Sequence, residues 1–173
     1  MKVYDGSQTN GQQESTPERI KVGIAEYKVT TDSAVLTTSG LGSCIGVALY
    51  DETTGAAGLV HVMLPTAEDV EGGNRAKFAD TGVEALVDAL ETAGASTASM
   101  QAKIAGGSDM LDFSESGSSI GSRNAKQVRA TLDEYDIPIV GEDVGGDHGR
   151  SIQLRADSGD LVVKSANTES TTL

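Results

Sequence analysis

The chain has 173 residues and a mass of 17.8 kDa, the size of one ordinary domain. Hydrophobic residues make up 38% of it, with two Phe, four Tyr and no Trp, so the core must be aliphatic. Thirteen Lys and Arg against 26 Asp and Glu leave a net charge of −13 with the cations scattered along the chain, which argues against a nucleic-acid binder.

No run approaches the roughly 20 apolar residues needed to cross a bilayer, and the N-terminus lacks the basic start and apolar stretch of a signal peptide. A soluble cytoplasmic protein without membrane insertion is expected. Acid spread over surface-type positions with few lysines suits a high-salt cytoplasm, where screening cancels self-repulsion, and reads as a halophile signature. A single cysteine, Cys44, excludes an intramolecular disulfide and a multi-cysteine zinc site, leaving either an inert core thiol or a nucleophile.

In chain order, residues 1–18 are polar and aperiodic and read as a flexible tail, followed by a single domain over residues 19–165. Ile20, Val22 and Ile24 alternate as in a half-buried strand, and Val35 and Leu36 belong to another. After a Gly-rich turn at Ser39–Gly42, the runs Ser43–Tyr50 and Ala57–Leu64 flank a polar, Gly-containing loop and predict a hairpin. Val83, Leu86, Val87 and Leu90 predict an amphipathic helix that starts at Asn74 or Asp80 and stops before Gly94. Met100–Ala105 reads as a strand, residues 108–119 as a polar loop, and a second helix starts near Ser122 and ends before Pro138. Ile137–Val140, Ile152–Leu154 and Leu161–Val163 complete the strands, with Gly141–Gly149 as a loop and residues 166–173 as a frayed C-terminal tail. The fold expected is an α/β (α+β) sandwich, with two main helices on mixed or largely antiparallel sheets.

The hairpin brings chemistry together. With its turn centred between Glu52 and Thr53, Cys44 stands opposite His61, Ile45 opposite Val60 and Val47 opposite Gly58, so thiol and imidazole share a face. A free thiol is only a few per cent ionised near neutrality, and an adjacent imidazole that takes its proton makes it a nucleophile for acyl chemistry. Gly40, Gly42 and Gly46 leave room for a substrate to approach the backbone, and nearby N–H groups, with Gly42, Ser43 and Gly46 as candidates, suit a developing oxyanion. Thr38 is a candidate to orient the imidazole. A lone Cys in an apolar strand and a lone His are each more commonly plain structural residues, and it is their opposition beside a glycine turn that favours catalysis. The glycines miss the dinucleotide and P-loop spacings. Asp147 and His148 with His61 make a weak case for a metal, and a solvated loop is the better reading; no metal or cofactor is expected.

Several blocks carry a family resemblance: Gly40-Leu41-Gly42-Ser43-Cys44-Ile45-Gly46-Val47, Gly58 to Pro65, Ala76 to Thr81, Ala102 to Gly107, Ile120-Gly121 with Arg123-Asn124, and Val140 to Gly146. Over roughly Val22 to Lys164 the chain resembles CheD, the chemoreceptor glutamine deamidases of bacterial and archaeal chemotaxis. The resemblance implies a sandwich related to bacterial toxin deamidases, with Cys44 as nucleophile, His61 as base and Thr38 as the third member. It also implies methyl-accepting receptors as substrates and a CheC-type phosphatase as partner. The N-terminal tail, the Ser114–Ser119 loop and His148 depart from the family pattern. A different class of function, a regulator that binds the phosphatase with catalysis secondary or lost, is the alternative.

Overall fold

A computed structural model describes residues 17–67, 73–109, 119–165 and 168–173. The elements in order are β1 (Glu18–Lys21), β2 (Tyr27–Thr30), β3 (Ala34–Leu41), β4 (Ile45–Asp51), β5 (Ala57–Val62), α1 (Ala79–Thr92), β6 (Met100–Gly106), α2 (Ile120–Glu134), β7 (Ile139–Val144), β8 (Arg150–Arg155), β9 (Leu161–Ser165) and β10 (Thr168–Thr172). The strands form two five-stranded sheets, ordered β1-β3-β8-β9-β10 and β2-β5-β4-β6-β7. Both are mixed, because β1 runs parallel to β3 and β6 parallel to β7 while the other neighbours are antiparallel. The expected sandwich with two main helices is what forms.

Residue alternation explains the layering. Along β4, Ile45, Val47 and Leu49 join Val83, Leu86, Leu90, Val128 and Leu132 of the helices in one cluster. Ala48 of the same strand, with Leu59 and Ala105, meets Leu36, Ile152, Leu154 and Leu161 of the first sheet in a second cluster. The second sheet is thus covered on both faces, which accounts for the unbroken apolar run in β4. Small residues let the sheets close: a Cβ on Gly46 would come within 2.5 Å of Ile152 Cδ1.

Helix limits follow their local chemistry. Asn74 caps a single 3-10 turn at Arg75–Lys77 through Ala76 N–H, while α1 itself begins at Ala79, one residue before Asp80. Ser119 caps α2 by accepting from Ser122 N–H at 3.0 Å. Because β6 and β7 are parallel, α2 is the crossover between them, and its first turn returns to the end of β6.

Four expectations change. The hairpin register is Ile45 with Val62, Gly46 with His61 and Val47 with Val60, so Cys44 is not directly opposite His61 but two residues further along its strand. The cause is Asp51, whose carboxylate accepts from Thr53 and Thr54 N–H and moves the turn centre toward Gly55, which takes φ +81°. Burial pushes that carboxyl up, but bonds from Ser96, Ser99, Thr53 and Thr54 outweigh it and hold its pKa below the ordinary value. Ser39–Gly42 is not simply a turn, since β3 continues to Leu41 through a bulge where Gly40 takes φ +76°. The alternation Ile20-Val22-Ile24 breaks into β1 and a turn before β2, a strand the sequence pattern does not reveal.

The fourth change concerns the ends of the chain. Thr168–Thr172, expected to fray, pair with β9, and Leu173 exchanges backbone bonds with Leu161. β7 likewise extends to Val144, shortening the Gly141–Gly149 loop. Residues 1–16 of the expected tail and 110–118 of the polar loop lie outside the described residues.

Candidate active site

His61 occupies β5 between β2 and β4, with its side chain on the inter-sheet side. There it reaches the first sheet: Thr38 Oγ1 of β3 lies 2.8 Å from His61 Nδ1. Both residues are buried, His61 completely, and its other ring nitrogen, Nε2, has no hydrogen-bond partner among the described residues. Burial lowers the imidazole pKa to about 4, so the ring is neutral near pH 7.

Cys44 directly precedes β4. It is half-buried and packs on the inter-sheet cluster, so nucleophile candidate and imidazole stand on one side of the sheet. The two-residue change of register preserves that, because side-chain direction repeats every two residues. Burial pushes the Cys44 thiol up from its ordinary value, and a bond from its own backbone N–H partly offsets this. Near neutral pH both the thiol and the imidazole on this side of the sheet are therefore uncharged.

The loop that carries Cys44 is clamped by residues that sequence reasoning left without a role. Gly107 N–H donates to Cys44 O and Ser108 N–H to Gly42 O, each at 2.8 Å. Gly106, at φ +118°, has no alternative: a Cβ there would lie 2.2 Å from Cys44 O. From α2, the fully buried Asn124 donates through Nδ2 to Ser43 O and to Met63 O, both at 2.9 Å. One amide thus ties the residue before Cys44 to the strand end after His61. The buried Arg150 guanidinium donates to Gly106 O, Gly145 O and the Asp143 carboxylate, bracing the same turn from β8. The only sequence signal for Gly106, Gly107 and Asn124 was membership in the family-like blocks at Ala102–Gly107 and Arg123-Asn124, and Ser108 and Arg150 lie outside every such block.

The oxyanion candidates separate. Gly46 lies inside the central strand of its sheet and faces Ile152. Gly42 N–H is engaged with Gly40 O at 3.1 Å. Ser43 is exposed, and no backbone carbonyl among the described residues accepts from its N–H. Asp147 and His148 stand on the turn before β8, 3.8 Å apart, and among the described residues no group of three His, Cys, Asp or Glu gathers as metal ligands would.

The comparisons with known proteins agree with one another. Residues 63–165 match the family model described as "CheD chemotactic sensory transduction". The chain is 73% identical, over all of both chains, to "Probable chemoreceptor glutamine deamidase CheD" of Haloarcula marismortui. It is 47% identical to the protein so named in Natronomonas pharaonis, covering 91% of this chain and 95% of that one. With "Chemoreceptor glutamine deamidase CheD" of Halalkalibacterium halodurans it shares 41% identity over 86% of this chain and 94% of the other. The chain belongs to the CheD family.

Proposed function

We propose that this protein is a chemoreceptor glutamine deamidase, a cysteine-dependent protein-glutamine amidohydrolase acting in the cytoplasm on methyl-accepting receptors. The observation that carries the mechanism is the Thr38–His61 bond, which occupies Nδ1 and leaves the buried Nε2 unpartnered on the side of the sheet where Cys44 stands. With Nδ1–H donating to Thr38, Nε2 holds the lone pair that a base needs.

Cys44 gives its proton to His61 and its sulfur attacks the side-chain carbonyl carbon of glutamine. Ser43 N–H faces the negative charge that develops on oxygen. The imidazolium returns the proton to the departing nitrogen, the C–N bond breaks, and ammonia leaves a thioester on Cys44. A water gives a proton to His61, adds to the thioester and releases glutamate, and the proton returns to sulfur. No cofactor enters this sequence. A CheC-type phosphatase is the proposed regulatory partner. Mass spectrometry of a receptor fragment incubated with wild-type and Cys44→Ala protein tests the reading. A gain of about 1 Da at glutamine with loss of ammonia is expected from the wild type only; equal conversion by both proteins, or by neither, rejects it.

A further inference from the structure

Both helices pack on the second sheet, which leaves the outer face of the first sheet uncovered among the described residues. Leu36, Ile152, Leu154, Leu161 and Val163 of that first sheet face inward, in the inter-sheet cluster. Side-chain direction alternates along a strand, so the residues between them point outward, and Val35 and Val162 accordingly belong to neither core cluster. Across β1, β3, β8 and β9 the charged side chains on this outer face are Arg19, Lys21, Arg155 and Lys164, all exposed. The remaining outward positions of the paired rows carry Val, Thr, Ser or Gln, and the one acidic residue in the four strands, Glu18, alternates to the other side. A chain with 26 acidic residues and 13 cations thus places four cations and no acid on one sheet face. None of the four forms an ion pair among the described residues.

The register fixes how two of these cations stand. Arg19 pairs with Val35 and Val35 with Arg155, so the arginines flank Val35 in one row, two strand spacings or about 10 Å apart at the backbone. With Gln153 these three line a cleft of about 340 Å³; Asp157 lines it too and pairs with neither arginine. We infer that this face docks a short acidic segment of a partner protein, whose carboxylates are received by Arg19 and Arg155. A planar guanidinium matches a carboxylate with two parallel N–H bonds, and Val35 between them offers an apolar floor to the side-chain stems. The extent of the patch selects the occupant. Four strands span about 15 Å, and the rest of the chain carries all 26 acidic residues against the other nine cations. A nucleic acid or an anionic bilayer would run on over repelling surface, whereas a short acidic segment ends where the cations do. Val35 and Thr38 lie three residues apart on β3 and point to opposite faces, so the occupant stays clear of the His61 side chain.

The test titrates a hexaglutamate peptide into the full-length protein and follows backbone amides by NMR in about 0.15 M KCl, where the screening length is about 8 Å. Shifts centred on Arg19, Val35 and Arg155 are expected. The double variant Arg19→Gln/Arg155→Gln should bind about tenfold more weakly, the scale of two exposed charge pairs, with Tm unchanged. Lys126→Gln/Arg129→Gln removes the same charge from exposed positions of α2 and should leave affinity as in the wild type. Equal weakening by the two double variants, or shifts scattered over the surface, overturns the inference by showing a diffuse charge effect. Tighter binding of a single-stranded oligonucleotide or of phosphatidylglycerol vesicles that depends on the same two arginines overturns it as well. Self-association in sedimentation velocity that Arg19→Gln/Arg155→Gln removes assigns the face to the acidic α1 of a second copy and rejects a separate partner. Binding is read directly, so the outcome is independent of whether the protein deamidates glutamine.

Discussion

His61 shows how one residue's surroundings set both stability and chemistry. Its folded pKa of about 4 lies below the value of 6.5 for a free imidazole, so the unfolded chain takes up a proton first as pH falls. Its contribution to stability is fully present above pH 6.5, declines between 6.5 and 4, and levels off below. The loss is about 3 kcal/mol, at about 1.4 kcal/mol per pH unit. Denaturant titrations of wild type and His61→Gln should differ by that amount in their change from pH 7 to 4; parallel curves would mean that the imidazole is not held neutral. The thiol gives a matching reading. Burial pushes Cys44 up, so its alkylation rate should have a midpoint above the ordinary thiol range. A midpoint below neutrality would reveal a resting thiolate–imidazolium pair instead.

At the scale of elements, the active site depends on where strand ends are tied. Asn124 joins the Cys44 loop to the end of β5, and Gly106 lets β6 approach the same loop. Replacing Asn124 by Ala leaves Ser43 O and Met63 O without their donor, at a cost of about 1–3 kcal/mol for an unsatisfied buried group. Asn124→Ala is expected to lower kcat about tenfold or more with little change in KM, whereas Thr131→Val, buried on the same helix, leaves kcat unaltered. Equal kcat for wild type and Asn124→Ala would show that the loop holds its geometry without the clamp. The elements themselves were largely readable, because Ile45-Val47-Leu49 and Val83-Leu86-Val87-Leu90 have unambiguous periods. The hairpin register was not, because it turned on whether Asp51 ended the strand or began the turn. β2 escaped notice because Tyr27–Thr30 is too short and too polar to show alternation.

For the whole molecule, the charge of −13 is the dominant long-range feature. α1 alone carries Asp80, Glu84, Asp88 and Glu91, and only Glu84 and Asp88 pair with a cation, Arg75, among the described residues. Raising salt from 0.1 M to 1 M shortens the screening length from about 10 Å to about 3 Å and relieves this repulsion. Tm should climb across that range by about 2–4 °C for each kcal/mol recovered, as read by calorimetry in KCl. A flat profile would show that the acidity does not serve high salt, whatever the organisms of the relatives.

The sequence by itself determined the aliphatic core, the order of most strands and both helices, and the placing of Cys44 and His61 on one side of a sheet. That last point survived a wrong register because side-chain direction has period two, and an error of two residues leaves the face unchanged. Tertiary structure alone decided that Thr38 meets His61 from the opposite sheet and that Asn124 and Arg150 hold the loop. These contacts join residues far apart in the chain and on different layers, where local periodicity carries no information and only the packing of one sheet on another sets the distance.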